Sequence, residues 1–240
     1  MIIGILQTGK NHEELVEQYG TYAEMLVALI NSEEKIFEFK TFEILDEEFP
    51  KDHLECDGWI ITGSKHGVYE ELAWIKRLSK LINDIYDADK PLLGVCFGHQ
   101  IIAQALGGDV EKSKKGWGLG LHTYRIDNKT DYMGNLAEKI TLNICHQDQV
   151  ITPPKGAVVY AQSDFCNCAG FFIKDKVLTM QAHPEFLVDF TKDLLNFRSE
   201  DEGGYIPQEV VDKAIYGLED NPSRVESKHF AETIRRFFLN

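Results

Sequence analysis

The sequence has no long hydrophobic run and no excess of positive charge. Its 240 residues contain no stretch near the roughly 20 apolar residues that a membrane-spanning helix requires. The formal net charge is −14, which argues against a general nucleic-acid binder because neutralising phosphates requires a basic surface. The opening segment 1–6 lacks a basic flank and is too short for a secretory signal peptide, so we expect it to form a first strand.

Cysteines are few, and their spacing is irregular. The five of them, at positions 56, 96, 145, 166 and 168, are odd in number and unlike a disulfide framework. We therefore expect a reducing, cytoplasmic location. Cys166-Asn167-Cys168, even together with Cys145 and His146, has the wrong spacing for a structural zinc site. We expect small core cysteines there, no metal and no cofactor.

Strand and helix patterns alternate over the first ninety residues. Short apolar runs at 2–6, 58–61 and 91–95 are typical of strands buried on both faces, and 35–39 alternates as a further strand. Apolar residues spaced by three and four predict amphipathic helices over 12–31 and 72–85. This alternation predicts parallel strands joined by right-handed crossovers.

The pattern changes after residue 108. Short β-prone runs then follow closely and predict a mixed or antiparallel extension of the sheet; they lie at 118–126, 141–145, 157–161, 169–173 and 177–181. Helical patterns return at 187–198, at about 207–218 after Gly203-Gly204, and at 225–239. We predict one α/β domain over 1–240, with a mostly parallel central sheet between helices on both faces. Its core is expected over 1–190 and a helical appendage over 191–240.

Gly94-Val95-Cys96-Phe97-Gly98 combines a thiol with two glycines at the point where a predicted strand gives way to a predicted helix over 97–106. This is the cysteine counterpart of a nucleophile elbow, in which glycines permit a tight strand-to-helix turn. The helix N-terminus directs free N–H groups and the positive end of its dipole at the thiol, which favours a thiolate and an oxyanion. Cys96 is therefore predicted to be a nucleophile rather than a core residue.

His183-Pro184-Glu185 follows a strand-like run at 178–182. A histidine there is suited to accept the thiol proton and return it to a leaving amine. Glu185 is suited to bind the other ring nitrogen, as the acid of a catalytic triad does. Alone, His-Pro-Glu is more often a turn, but together with the elbow it predicts a Cys96–His183–Glu185 triad.

These segments resemble the class I, or triad-type, glutamine amidotransferases, most closely the glutaminase domain of GMP synthases and its stand-alone relatives. Residues 94–100 (GVCFGHQ) and 183–185 (HPE) match that family's two signature segments in order and spacing. The resemblance extends to 57–64 (DGWIITGS), similar to the family's oxyanion strand and loop, and to 146–150 (HQDQV), similar to its His-x-Asp-x-Val segment. It spans residues 1 to about 190 and implies a flavodoxin-like fold.

The resemblance implies a role for each site residue. Cys96 is expected to form a γ-glutamyl thioester, with His183 as general base and then acid and Glu185 orienting it. The backbone amides of Gly63 and Phe97 are expected to form the oxyanion hole.

Two further residues are expected to bind the substrate. Gln100 is expected to line the glutamine pocket. His146, placed on a loop, is expected to meet the amino-acid end of the substrate; the alternative is a surface loop histidine.

Departures from the family pattern separate three functional hypotheses. The family's usual Gly-Gly-Pro or Gly-Ser-Pro is replaced by 63–67 (GSKHG), similar to loops of γ-glutamyl peptidase-like members. No synthetase domain is expected in the roughly fifty residues after 190. A glutaminase serving a separate synthetase subunit is one hypothesis. A stand-alone γ-glutamyl hydrolase or peptidase, favoured by these departures, is the second. A non-enzymatic, metabolite-binding regulatory subunit is the third, and the complete triad argues against it.

Two glycine-rich segments are not expected to bind nucleotides. Residues 4–10 fit G-x-x-x-x-G-K, but Asn11 lacks the hydroxyl that would hold magnesium, and Gly4 falls inside the first predicted strand. Residues 116–120 do not match a dinucleotide fingerprint and predict a loop beside the site.

Overall fold

The computed structural model describes residues 1–134, 136–200, 206–220 and 226–240. Its strands are β1 (Ile2–Gln7), β2 (Glu38–Glu43), β3 (Gly58–Ile61), β4 (Leu92–Val95), β5 (Asp109–Lys112), β6 (Gly118–Ile126), β7 (Lys139–His146), β8 (Asp148–Thr152), β9 (Val158–Gln162), β10 (Gly170–Ile173) and β11 (Val177–Met180). Its helices are α1 (Glu13–Tyr19), α2 (Tyr22–Ile30), α3 (Ala73–Asp87), α4 (Phe97–Ala105), α5 (Val188–Glu200), α6 (Gln208–Asp220) and α7 (Ser227–Leu239). Within these ranges no helix has the length and apolar character needed to span a membrane. The expected Gly203-Gly204 break lies outside the described residues.

Nine of the described strands form one sheet in the order β2-β1-β3-β4-β11-β10-β9-β6-β7. The first five run parallel to one another, and the rest pair antiparallel. The mostly parallel sheet and its antiparallel extension are therefore confirmed. A separate antiparallel pair, β5 with β8, was not predicted. Both strands are short and partly exposed, so neither carries a continuous apolar run.

Helices cover both faces of the parallel strands, as expected for an α/β sheet. Every residue of β3 and β4 is buried. On one face Ile3 and Ile5 pack with Leu26 of α2, and on the other Trp59 packs with residues of α3 and α4 such as Leu78. The carboxyl ends of β3, β4 and β11 consequently meet at one edge of a fixed core.

Two elements near the N-terminus differ from the sequence predictions. The single helix expected over 12–31 is two helices, broken at Gly20, whose φ of 84° an L side chain rarely adopts. Thr21 then begins α2 with a capping box: its hydroxyl accepts the Glu24 N–H at 3.2 Å, and the Glu24 carboxylate accepts the Thr21 N–H at 2.7 Å. The strand expected at 35–39 runs from 38 to 43 because that segment pairs along the whole of β1.

The last helix packs against the core of the sheet. Phe230, Ile234 and Phe237 of α7 are buried in the same cluster as Ile3 and Ile5 of β1. These residues lie on one face of α7, and that face covers the sheet and α2. The division of one domain into a 1–190 core and a 191–240 helical appendage stays a prediction.

Candidate active site

Cys96 lies at the carboxyl end of β4, in a backbone conformation that L residues rarely adopt. Its φ is 53° and its ψ is −103°, a strain of roughly 1–3 kcal/mol that the surrounding fold must impose. The flanking glycines permit the turn: a Cβ on Gly94 would lie 2.5 Å from the Gly98 carbonyl oxygen, and one on Gly98 would lie 2.2 Å from the Ile61 carbonyl oxygen. The Cys96 N–H donates to the Met180 carbonyl at 2.8 Å, which ties the elbow to β11.

His183 and Glu185 form a buried pair beside the elbow. His183 Nδ1 is 2.7 Å from Glu185 Oε1, and the two side chains are 5% and 0% exposed. Burial lowers the pKa of His183, but the Glu185 carboxylate and Cys96 outweigh it and raise that pKa to about 10. Phe186 stacks on the imidazole at 3.8 Å, and the His183 N–H donates to the Asn143 carbonyl at 2.8 Å. Phe186 therefore covers one face of the ring, Glu185 holds its Nδ1, and the Asn143 carbonyl fixes the backbone of His183.

Gly63 comes directly against the Cys96–His183 pair. A Cβ on Gly63 would lie 2.7 Å from His183 Cε1 and 3.7 Å from Cys96 Cβ, so this approach requires glycine. The Thr8 hydroxyl donates to the Gly63 carbonyl at 3.3 Å and fixes the loop. Among the described residues, no acceptor takes the backbone N–H of Gly63 or that of Phe97, the first residue of α4. Both N–H groups thus remain free to bind an anion.

Two glutamines connect the α4 helix to the thiol. Gln100 Nε2 donates to the Asp148 carbonyl at 2.8 Å and to Gln181 Oε1 at 3.1 Å. Gln181 Nε2 in turn lies 3.6 Å from Cys96 Sγ. The sequence predictions missed Gln181, although a polar residue directly after the buried run of β11 was a detectable signal.

His146 lies at the end of β7 and not on a loop. The residue is 4% exposed, because Phe165 covers its ring at 5.6 Å between centroids and β7 is buried there. Its Nδ1–H donates to the Asp148 carbonyl at 3.1 Å, and Nε2 has no partner among the described residues. Burial lowers its pKa to about 3, so the imidazole is neutral. The loop position expected for His146 is therefore wrong, because the residue ends a strand and is buried. Its predicted contact with the substrate stays a prediction.

Cys96 opens into a cavity of about 430 Å³. The cavity wall is formed by the loop after β3, the end of β7 and the start of β8, and residues of α5; the lining residues are Ser64, Lys65, His66, Gly67, Tyr69, Glu70, Cys96, Gln100, Lys112, Trp117, Cys145, His146, Gln147, Asp148, Arg198 and Ile206. Gln100 and His146 thus share this cavity with Cys96. Its volume suits a small-molecule ligand.

The sequence profile of the family described as "Glutamine amidotransferase class-I" matches residues 14–197. The chain belongs to this family. It is 32% identical to γ-glutamyl peptidase 4 of Arabidopsis thaliana over 228 residues, which cover 92% of this chain and 88% of that protein. It is 30% identical to the GMP synthase of Crocosphaera subtropica over 165 residues, which cover 68% of this chain and 29% of that protein.

Solved structures of glutamine amidotransferases share the fold of this amidotransferase. A glutamine amidotransferase from Thermotoga maritima superposes with a TM-score of 0.72 at 19% identity, over 99% of each chain. Another, from Methylobacillus flagellatus, gives 0.71 at 18% identity, over 99% of this chain and 93% of that one. The expected family, fold and enzyme class, a glutaminase or γ-glutamyl hydrolase, are confirmed.

The loop after Gly63 in this amidotransferase forms one wall of the cavity. His66 Nδ1 is 2.8 Å from Glu70 Oε2, the Gly67 N–H donates to Glu70 Oε1 at 2.7 Å, and Trp74 meets the imidazole edge-on. The His66–Glu70 pair therefore braces the loop, and Lys65 and His66 both face the ligand space.

The remaining motifs have structural roles. Gly4 lies inside β1, where a Cβ would meet Trp59 at 2.3 Å, and Lys10 forms an ion pair with Asp46 at 2.6 Å. Cys166 and Cys168 are buried, and burial raises the pKa of each thiol to about 12.

Proposed function

We propose that Cys96, His183 and Glu185 form the catalytic triad of a γ-glutamyl hydrolase. The observation that carries this proposal is the buried His183–Glu185 pair at 2.7 Å, set against a strained cysteine that opens into a cavity. A nucleophile, a proton carrier and a residue that orients the proton carrier are the three parts that acyl transfer requires.

The reaction has two halves. The Cys96 thiolate attacks the γ-carbonyl carbon, and the protonated His183 gives its proton to the leaving nitrogen as the C–N bond breaks. The amine or ammonia departs and leaves a γ-glutamyl thioester. Water then attacks the thioester while His183 takes its proton, the C–S bond breaks, and glutamate is released. Glu185 holds the imidazole with Nε2 toward the reacting atoms.

The oxyanion of each tetrahedral intermediate is assigned to the backbone N–H groups of Gly63 and Phe97. Both are free of other acceptors within the described residues, and Phe97 adds the dipole of α4. Such donors typically contribute about 10²- to 10³-fold in rate. Gln100 and Gln181 are proposed to position the γ-glutamyl group and the thiol.

The substrate class we favour is a γ-glutamyl compound with an organic leaving group. Support comes from the similarity to γ-glutamyl peptidase 4 over nearly the full length of both chains, and from the Lys65-His66 loop in the cavity wall. A glutaminase that supplies ammonia to a separate synthetase subunit is the second candidate, favoured by the match to a GMP synthase. We also propose a cytoplasmic location, which suits five free thiols.

The test measures glutamate release by the purified chain from glutamine and from a γ-glutamyl dipeptide. The expected result is faster release from the dipeptide, and modification of Cys96 by 6-diazo-5-oxo-norleucine. Cys96→Ala is expected to abolish both, whereas Cys56→Ser, a change at a buried thiol outside the cavity, retains them. Release from glutamine alone would favour the synthetase-coupled candidate. Unlabelled Cys96 with no release from either substrate would contradict the proposal.

A further inference from the structure

The cavity next to Cys96 carries positive charge in a strongly acidic protein. Lys65, Lys112 and Arg198 line it, although the chain has a net charge of −14. Its two carboxylates already have partners: Glu70 binds His66, and Asp148 binds the Tyr69 hydroxyl. The three cations of the wall outnumber its two carboxylates, so its formal charge is positive, which suits an anionic ligand.

Arg198, one of these three cations, contacts a thiol and a hydroxyl. Its Nη1 donates to Cys145 Sγ at 3.1 Å, and its charge also interacts with the Tyr22 hydroxyl. No carboxylate in the described part of the chain forms an ion pair with it. Because a guanidinium has five N–H donors in a planar fork, this one retains donors suited to a substrate carboxylate.

The residues around Arg198 lie close to His183. Asn143 pairs with His183 in a β-bridge, and Cys145, two residues further along β7, lies on the same face of the strand. Aromatic rings provide a second connection. Tyr22, which interacts with Arg198, stacks on Phe186 at 5.8 Å, and Phe186 stacks on the imidazole of His183. Arg198 therefore lies on the His183 side of the thiol.

That side is the one that the leaving group occupies. A general acid must reach the nitrogen that departs, so the leaving group faces His183 while the glutamyl chain extends elsewhere. We propose that Arg198 binds a carboxylate of the leaving group and thereby selects γ-glutamyl amino acids and peptides over glutamine and γ-glutamyl amines. This specificity role rests on the proposed hydrolase function and deepens it.

The experiment compares three substrates that share one acyl group: γ-glutamylglycine, its C-terminal amide, and glutamine. Wild-type protein is expected to prefer γ-glutamylglycine over the amide. Loss of a charge-assisted hydrogen bond typically costs about 1.5–3 kcal/mol, which is about 10- to 150-fold. Arg198→Gln is expected to lower kcat/KM for γ-glutamylglycine by that factor, mainly through KM, and to change the other two substrates by less than about threefold. Arg198→Lys is expected to restore part of the loss.

Lys192→Gln is the matched control, because it removes a positive charge from the same helix outside the cavity lining. It is expected to leave all three substrates unchanged. Equal losses on all three substrates in Arg198→Gln would overturn the proposal, as would a wild-type enzyme that does not distinguish the glycine from its amide. The comparison of γ-glutamylglycine with its amide needs only wild-type enzyme, so it tests the proposal even if Arg198→Gln does not fold. Absence of glutamate release from every substrate, with Cys96 unlabelled, would instead refute the hydrolase function.

Discussion

Two strand ends meet the Cys96 region, and each carries a buried histidine in a different charge environment. After β11, His183 contacts the Glu185 carboxylate and its pKa is raised to about 10. At the end of β7, His146 donates a hydrogen bond to the backbone carbonyl of Asp148 and packs against Phe165, and burial lowers its pKa to about 3. Burial lowers the pKa at both places, so neighbouring negative charge decides which imidazole holds a proton at neutral pH.

The difference assigns the two rings to different tasks. A protonated imidazole beside a thiol is suited to give a proton to a leaving group, which is the role proposed for His183. A neutral imidazole without an acidic partner is suited to fill a wall, and for His146 we expect a structural role or a weak substrate contact. The following predictions test this contrast, from the largest expected effect to the smallest.

The matched pair His183→Asn and His146→Asn tests the contrast most directly. Removing the proton carrier is expected to lower kcat by at least about 10⁴-fold, in line with losses seen when a triad base is deleted. The His146 change keeps an amide donor for the Asp148 carbonyl and is expected to cost less than about tenfold in kcat/KM. Steady-state glutamate release measures both. Comparable losses in the two variants would remove the distinction between the rings.

Glu185→Gln tests the origin of the raised pKa. The substitution keeps the shape of the side chain but removes its charge, so the pKa of His183 is expected to fall from about 10, and kcat at neutral pH by about 10²- to 10⁴-fold. NMR titration of the imidazole measures the first change. An unchanged His183 pKa would contradict the assignment to Glu185.

The same substitution has a defined pH dependence for stability. A raised folded-state pKa stabilises the fold fully below the ordinary value of 6.5, and this contribution is lost as the pH rises through about 10. Glu185→Gln is therefore expected to lower the free energy of unfolding more at about pH 6 than at about pH 10, as measured by urea unfolding.

Gly63→Ala perturbs the position of the His183 ring without removing a functional group. The added Cβ would lie 2.7 Å from His183 Cε1, so either the ring or the loop must move. We expect a loss of about 10²-fold in kcat, the usual consequence of a misplaced catalytic group, with little change in Tm. Gly217→Ala, in α6 with open space around it, is the control and is expected to retain activity. A fully active Gly63→Ala enzyme would argue against the tight approach.

Local sequence was sufficient for the elbow and the His-Pro-Glu segment, because a strand-to-helix turn and a two-residue spacing are short-range features. The environment of His146 was not predictable in this way: its burial depends on Phe165, which lies nineteen positions away in the sequence. Gln181 was missed for a similar reason, since its contact with Cys96 joins two strands that are distant in the chain. The break at Gly20 was also missed, because the apolar spacing continues through it while the backbone does not.

The smallest expected effect concerns the acid stability that His146 controls. Its lowered pKa means that, between about pH 6.5 and 3, the unfolded chain binds a proton that the folded chain excludes, so stability falls as the pH falls through this window. His146→Asn removes this loss. We therefore expect the free energy of unfolding of the variant to rise, relative to that of wild type, by about 2 kcal/mol when the pH is lowered from about 7 to about 5. Urea unfolding at the two pH values measures the gain, with His229→Gln as an exposed control. The other histidines His122, His183 and His99 lower this pKa further. A wild-type pH profile parallel to that of the variant would therefore contradict the lowered pKa of His146.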